Sequence, residues 1–566
     1  MGPKELIALG DHLFSKRGSL LSMWQDLADQ FYVERADFTI TRSLGDNFAD
    51  HLSSSYPLLV RRDLGNSLGT MLRPNSIEWF HMRAPREEDE DQPAKAWLES
   101  RSAIMRRAMY DRTSLFTRAS KEGDHDMAFA GQCVKTVELN RDGNGLLYRC
   151  WHLRDVAWCE NSEGRIDQVH RKWKPTAAQL VELFKAKGPG RAGVHSKVAE
   201  KLVGPNKNPY AEIGCRHIVL PSWQYDGDYV GKRQGPGTNP PFVSIYLDVD
   251  NAHIMEAVGQ TYFMYVIPRW QTVSGSQYAF SPATVVALPD ARLLQAMTYT
   301  LLEAGEKATN PPMVAVQEAI RGDISVYAGG VTFVDGSYDD RTGEVLRPIT
   351  QDKSGLPVGF DMRNDLMAQL REAFYLDKLS LPVTGPEMTA FEVGQRVTDY
   401  IRQAAPIFEP LEMEDNGAIC ETTFELMFRA GAFGSTDDIP QNIALKEDGT
   451  PEISFRFESP LHDAIERQKG NTFNEALGLT TQTMGVDPSA IAHVDFTTAF
   501  RDTLSAIGVP AKWIRSEKDA QAQIDEDKAR EQAAQMVQDI NAAAGAAQQV
   551  GLADQALGPD AQAMAA

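Results

Sequence analysis

A few short stretches of this sequence carry residue types that could do chemistry, and each depends on the element that holds it. Gly65-Asn66-Ser67-Leu68-Gly69 satisfies the G-x-S-x-G pattern of a hydrolase nucleophile elbow. Such an elbow needs a buried strand before the serine and a helix after it, so that a strained turn exposes the hydroxyl. Here Leu64, Leu68, Met71 and Leu72 keep one helical period through the motif. The two glycines, four apart, then serve close helix packing, and Ser67 as a nucleophile is the alternative. Gly188 to Gly193 fits G-x-G-x-x-G, but it follows a helical pattern and contains Pro189, so a loop is expected rather than a dinucleotide site. Asp124-His125-Asp126 offers metal-ligand types. Neighbouring helix residues point to different faces, so the expectation is a solvated segment after Gly123 and no metal site.

No H-E-x-x-H pair and no G-x-x-x-x-G-K-[ST] loop occur, which leaves a nucleotide-driven motor unsupported within this chain. Arg269-Trp270 pairs a cation with an aromatic ring, and an ordinary strand-end contact is expected there. Lys307, Arg371 and Lys378 near the helical pair could meet phosphates, yet cations at helix ends also complement the macrodipole, and for each alone that structural reading is the favoured one. The residues alone assign no catalytic group, cofactor or metal ligand.

The elements that position these residues follow from hydrophobic spacing. Leu13, Leu20, Trp24, Leu27 and Phe31 fall on one helical face, and the helix through Leu64 to Leu72 should stop at Arg73, before Pro74. A further helix carries Trp97, Leu98, Met105 and Met109. From about 131 to 270 the period shortens to two, with turn signals at Asp142-Gly143 and Glu163-Gly164, a helix over Thr176–Lys187, and apolar runs at Ile218–Trp223, Phe242–Leu247 and Tyr262–Ile267. This is an antiparallel α+β region in a predominantly helical chain.

Helix returns at Ser281-Pro282, a cap with proline at the first position, with Pro289 as an alternative start. Leu294, Met297 and Leu301 mark its apolar stripe, and Leu366, Leu370 and Phe374 mark a second helix beyond a Gly-rich insert, so the two should lie antiparallel. A third helix with Val393, Val397 and Ile401 is expected to kink or break at Pro406 and Pro410, before another over about Asn416–Ala430. The Ala/Gln-rich stretch Glu517–Ala543 predicts a helix with too thin an apolar face to stand alone, fraying beyond Gly545.

Composition bounds the function. With 566 residues the chain holds about four domain-sized units. Its 57 Lys+Arg against 78 Asp+Glu give −21, which argues against coating nucleic acid by bulk charge. The five scattered cysteines form no CxxC pair, so neither a disulfide framework nor a zinc ribbon is indicated, and a reducing compartment is expected. No signal-peptide pattern and no run of 18 apolar residues appear, so a soluble protein without a membrane span is expected.

Several segments, in order, resemble the portal protein, or head-to-tail connector, of short-tailed bacteriophages. They are Leu64–Met82 (LGNSLGTMLRPNSIEWFHM), Ile267–Leu288 (IPRWQTVSGSQYAFSPATVVAL), Glu306–Pro312, Met388–Val393, Ser459-Pro460-Leu461 and Ile507–Ser516. The similarity covers about residues 5–545. Ala279-Phe280 stands where many relatives have Gly-Arg, so no role of that arginine transfers.

The resemblance implies a portal fold with wing, stem, clip and crown regions, assembling as a ring of twelve copies at one capsid vertex. It places the wing at 1–280, stem helices at 281–310 and 361–376, the clip at 311–360 and a channel loop at 377–387. Wing helices and a strand follow at 388–458, a crown-side helical region at 459–545 and a disordered tail at 546–566. It implies no enzyme activity and no cofactor. Its partners would be double-stranded DNA in the channel, a terminase, major capsid and scaffolding proteins, and tail adaptor and internal core proteins. In that frame Lys378, Leu379, Leu381 and Val383 belong to the channel loop, and Lys307, Arg371 and Lys378 are the candidate DNA-facing cations. The protein would be made in the host bacterial cytoplasm and reside in the virion at the head-tail junction. Another virion core or tail structural protein, like the Ser67 hydrolase, is the alternative.

Overall fold

The computed structural model describes residues 1–315 except 44, 75–77, 87–90, 186, 204–206 and 234–238. Beyond these it describes 320, 322–324, 333, 335 and 346–348; 355–379; 403, 406 and 409–457 except 447; and 473, 476–483, 495–506, 509, 513–515 and 517–556. They divide into two units. The first comprises Met1–Phe80, Ile104–Phe433 and Phe457–His462; the second comprises His81–Ala103, Gly434–Arg456 and Asp463–Ala566.

The chain opens with α1 (Pro3–Lys16), α2 (Gly18–Phe31) and α3 (Tyr56–Leu72). Leu13, Trp24, Leu27, Phe31, Leu64 and Leu68 are buried, as their spacing requires. Arg73 leaves the helical region at φ −141° just before Pro74, which ends α3 at the expected place. Strand β1 (Phe80–Arg83) and α4 (Gln92–Met109) follow, then α5 (Phe116–Ala130).

Helix α5 corrects the sequence reading. It is a core element, and Asp124 and Asp126 inside it are 5% and 1% exposed, not solvated. Gly131 ends it in the left-handed region at φ 72°. A Cβ there would lie 2.1 Å from the Phe280 carbonyl carbon, so glycine is required.

The α+β region holds two antiparallel sheets. Strands β2 (Val134–Leu139) and β3 (Leu146–Trp151) form a hairpin, joined later by β9 (Tyr265–Val266) in the order β3-β2-β9. The second sheet is a five-stranded meander of β4 (Val156–Glu160), β5 (Ile166–Trp173), β6 (Cys215–Pro221), β7 (Phe242–Asp248) and β8 (His253–Gln260). Gly143 and Gly164 turn the chain at positive φ where Asp-Gly and Glu-Gly signals stood.

Two expectations change here. The helix expected over Thr176–Lys187 is shorter, α6 (Ala177–Leu183), started by a Thr176–Gln179 capping box. A second helix, α7 (Ser196–Val203), follows it. Strand β8 had no clear apolar alternation, since only Met255 and Ala257 are buried, and of the run Tyr262–Ile267 only β9 is strand.

Helix α8 runs Pro282–Thr309 without interruption, so it starts at the Ser281 cap and Pro289 lies inside it. Ser281 Oγ accepts from the Thr284 amide and donates to the Ala128 carbonyl, fixing this start to the end of α5. Strands β10 (Met313–Ala315) and β11 (Leu346–Pro348) pair antiparallel and bring the chain back to α9 (Gly355–Ala373), where Gly359 packs against Leu301 of α8. A short helix, α10 (Leu376–Leu379), follows Tyr375 at φ 57°.

The third helix expected around Val393 to Ile401 lies outside the described residues. At Pro406 and Pro410 the chain is helical rather than broken. The irregularity falls just after, as a π-helix over Glu412–Gly417 that continues into the helix Ala418–Arg429. Proline lacks the amide a regular helix uses, and a wider turn absorbs the mismatch. One large cluster of buried side chains gathers α2, α3, α5, α8 and α9; a second joins Leu6 of α1 to the five-stranded sheet.

In the second unit β1 pairs with the strand Ser454–Phe457, and the helices Phe496–Ala506 and Glu517–Ala556 follow. The last helix continues past Gly545, because alanine-rich flanks tolerate one glycine.

The meander also hides two neutral imidazoles. Burial, then Arg216, pulls His170 down to about 3, and burial pulls His217 well below its usual value while it bonds the Tyr265 and Ser244 hydroxyls. The unfolded chain binds protons near pH 6.5 and the folded one does not, so stability is full above that pH and declines as pH falls below it. At pH 5, His170 alone should remove about 2 kcal/mol. Urea melts at pH 7.5 and 5 should show the loss, and His170→Gln should reduce it by about 2 kcal/mol while the share of His217 remains; equal stability at both pH values would contradict it.

Candidate functional site

The G-x-S-x-G motif lies within α3 and has no strand before it. Ser67 is half-buried and donates back to the Asp63 carbonyl at 2.9 Å, as a serine inside a helix does. Its flanking glycines face α5. A Cβ on Gly65 would sit 2.3 Å from His125 Nδ1, and one on Gly69 2.9 Å from Asp124 Oδ2. The motif therefore lets two helices touch, and no nucleophile elbow forms. Gly188–Gly193 is likewise a turn, closed by paired backbone bonds between Gly188 and Arg191.

Asp124, His125 and Asp126 diverge, as consecutive helical residues must. Asp126 takes Arg35 at 3.0 Å, His125 meets Arg61 at 3.0 Å, and Asp124 turns to Arg73. No group of residues suited to a metal ion occurs among the described residues. Burial, with Arg61 next, draws His125 down to about 4, so it is neutral at pH 7.

Around Asp124 lies a dense cluster of buried charge. Arg73, just past the end of α3, contacts Asp124, Asp415 at 2.9 Å and Asn416 Oδ1 at 2.7 Å. Lys135 of β2 pairs with the other oxygen of Asp415, and Asn416 donates to the Leu72 carbonyl at 3.1 Å. All five side chains are buried. Burial opposes ionisation of Lys135 and Asp415, yet their mutual attraction raises the lysine and lowers the carboxylate. For Asp124 burial dominates and its value is raised, with Arg73 offsetting part. The π-helix presents consecutive residues differently from an α-turn: Glu414 accepts from the Arg269 amide at 2.7 Å while Asp415 and Asn416 enter the cluster. Arg269 also pairs with Glu160, so the Arg-Trp pair is a structural contact, as expected. Sequence reading missed this cluster because its members are up to 343 residues apart.

The helical pair carries the remaining candidates. Lys307 is bonded to Glu303 at 2.6 Å on its own helix, which raises it. Arg371 is bonded to Asp377 at 3.0 Å. Lys378 is exposed in α10, with its ammonium 5.7 Å from the Tyr375 ring. Leu379 closes α10, while Leu381 and Val383 lie outside the described residues. Large apolar side chains stand in solvent along both helices: Val286, Leu293, Tyr299 and Leu302 on α8, and Val358, Phe360 and Met362 on α9.

Two outcomes test this reading. Arg73→Met leaves two buried carboxylates without their guanidinium and should cost about 3–5 kcal/mol in urea unfolding; a loss below about 1 kcal/mol would refute the cluster's role. Gly65→Ala should cost about 1–3 kcal/mol by overpacking, whereas Ser67→Ala should stay within about 0.5 kcal/mol.

Comparison with known proteins gives the family. Residues 3–514 match the family model described as bacteriophage head to tail connecting protein. The chain is 22% identical to the probable portal protein of Bordetella phage BPP-1 over 498 residues, covering 87% of this chain and 85% of that one. It is 21% identical to the portal protein of Salmonella phage epsilon15 over 535 residues, covering 92% and 90%. A solved chain from the virion of a native gene transfer agent particle aligns at 9% identity and a TM-score of 0.28, over 72% of this chain and 95% of that one, a likeness too low to define the fold. The chain belongs to the bacteriophage head-to-tail connecting protein family.

Proposed function

We propose that twelve copies of this chain form a ring at one capsid vertex, through whose channel double-stranded DNA is packaged, retained and ejected. In this reading α8 and α9 are the stem, the intervening 311–360 the clip, 377–387 the channel loop, 1–280 and 388–458 the wing, and the C-terminal helices the crown side. A terminase docks at the clip during packaging and tail adaptor proteins take its place; capsid, scaffolding and internal core proteins contact the body.

The observation that carries the reading is the exposed apolar set on α8 and α9, with Val286, Tyr299 and Leu302 each more than 60% exposed. Apolar side chains of this size on a paired helix surface favour cover by neighbouring protein. A head-to-tail contact repeated by rotation closes into a ring. Twelve copies at −21 each carry −252, so the body repels DNA on the whole. A conduit gains from that, because tight phosphate clamps would hold a polyanion that must slide. Lys307 and Arg371, already paired with Glu303 and Asp377, would offer weak contacts only. Leu379, Leu381 and Val383 would restrain DNA sterically from the channel loop, with Lys378 beside them.

Negative-stain images of the purified protein should show rings with a central hole. Val286→Asp with Leu293→Asp should convert rings to monomers at unchanged helicity; rings of normal yield would refute the interface. Deleting residues Lys378–Thr384 should leave rings intact but lower genome retention in particles, and unchanged retention would reject the channel-loop role.

A further inference from the structure

The chain is acidic, yet the stretch from Lys174 to Glu212, which places α6 and α7 between β5 and β6, is basic. It holds six lysines and one arginine against three glutamates, an excess of four positive charges in a chain of −21. Glu182 is taken by Arg141 at 2.7 Å and by Lys185, and Arg191 is held by Glu256 at 2.7 Å. Lys174, Lys187, Lys197, Lys201 and Lys207 have no carboxylate partner among the described residues, and only Glu200 and Glu212 remain to offset them.

Four of these lysines follow the length of α7. The Lys187 side chain lies against Gly193, just before the helix, where an added Cβ would sit 3.8 Å from Lys187 Cε. Lys197 and Lys201, four apart, share one face of the helix. The Asn208 amide donates to the Lys201 carbonyl at 2.9 Å, which brings Lys207 to the far end. Eight helical residues extend about 12 Å. Between the lysines stand exposed Ser196, Asn208 and Tyr210, the tyrosine 83% exposed. Tyr210 is held in place because the carbonyls on either side of it, of Pro209 and Ala211, accept from the Ala178 and Ala177 amides at 3.1 and 2.9 Å.

We propose that the row Lys187, Lys197, Lys201 and Lys207 binds the phosphate backbone of double-stranded DNA, at a site separate from the channel. Lysine presents a compact point charge to phosphate, and Ser, Asn and Tyr side chains are the usual supporting donors. An acidic peptide is better recognised by the planar arginine fork, which matches a carboxylate with two bonds. The one arginine of this stretch is already committed to Glu256. With phosphates about 3.4 Å apart along each strand, a row of about 12 Å meets about three or four of them. No base-reading element accompanies the lysines, so the contact is independent of sequence. The site uses no residue of α8 or α9 and stands whether or not the ring reading holds.

The test is an electrophoretic mobility shift of a covalently closed DNA minicircle, which cannot thread a closed ring, with the full chain. The minicircle should bind, and raising salt from 50 to 200 mM should weaken binding by about a hundredfold, as four phosphate contacts require. Changing Lys187, Lys197, Lys201 and Lys207 together to Gln should weaken binding at 50 mM by about tenfold or more and remove most of the salt dependence. Changing all four to Arg should retain binding, as should Lys4→Gln with Lys16→Gln, which removes two lysines outside this stretch. Failure to bind the minicircle, equal affinity in the four-Gln variant, or displacement of the DNA by polyglutamate at equal charge concentration would overturn the proposal.

Discussion

A neutral set of buried charges, Arg73 and Lys135 against Asp124 and Asp415, fixes how the first unit is put together. Each member comes from a different element: the end of α3, β2, α5 and the π-helix. Two cations balance two anions, so none can leave without stranding another in a medium that penalises free charge. Such a cluster adds little net stability compared with apolar packing, but it tolerates few alternative arrangements. Gly69 belongs to the same constraint, because any larger side chain there would press on Asp124. The π-helix does too, since its wider turn sends Glu414 to Arg269 and the next two residues into the cluster.

What this unit offers is shape. The residues that resembled catalytic motifs all serve packing: Ser67 closes on its own helix, the glycines beside it admit α5, and Asp124-His125-Asp126 spreads into three separate contacts. Membership of a head-to-tail connecting family accords with a molecule that exposes a set of large apolar side chains along a helical pair. No helix among the described residues is long and apolar enough to cross a membrane, so those side chains do not form a span.

Much of the architecture was legible because it is written in short-range spacing. The stop at Arg73, the turns at Gly143 and Gly164, and the Ser281 cap each rest on residues within a few positions of one another. The packing role of Gly65 and Gly69 could be read from the same local logic. Misreadings arose where distant residues decide. Asp124 and Asp126 looked solvated because their arginine partners lie 51 and 91 positions away. Strand β8 exposes several of its side chains, and its hydrogen bonds to β7 rather than its composition hold it in the sheet. Pro410 argued for a break, yet packing of Leu411 in the main core keeps the chain helical and moves the irregularity into the π-turn.

The connector account is tested most directly by an asymmetric reconstruction of the assembled particle that counts copies of this chain and locates them. It predicts twelve copies around a single axis at one vertex, with density for DNA along that axis. Copies distributed over all vertices, or confined to the tail away from the capsid wall, would contradict it.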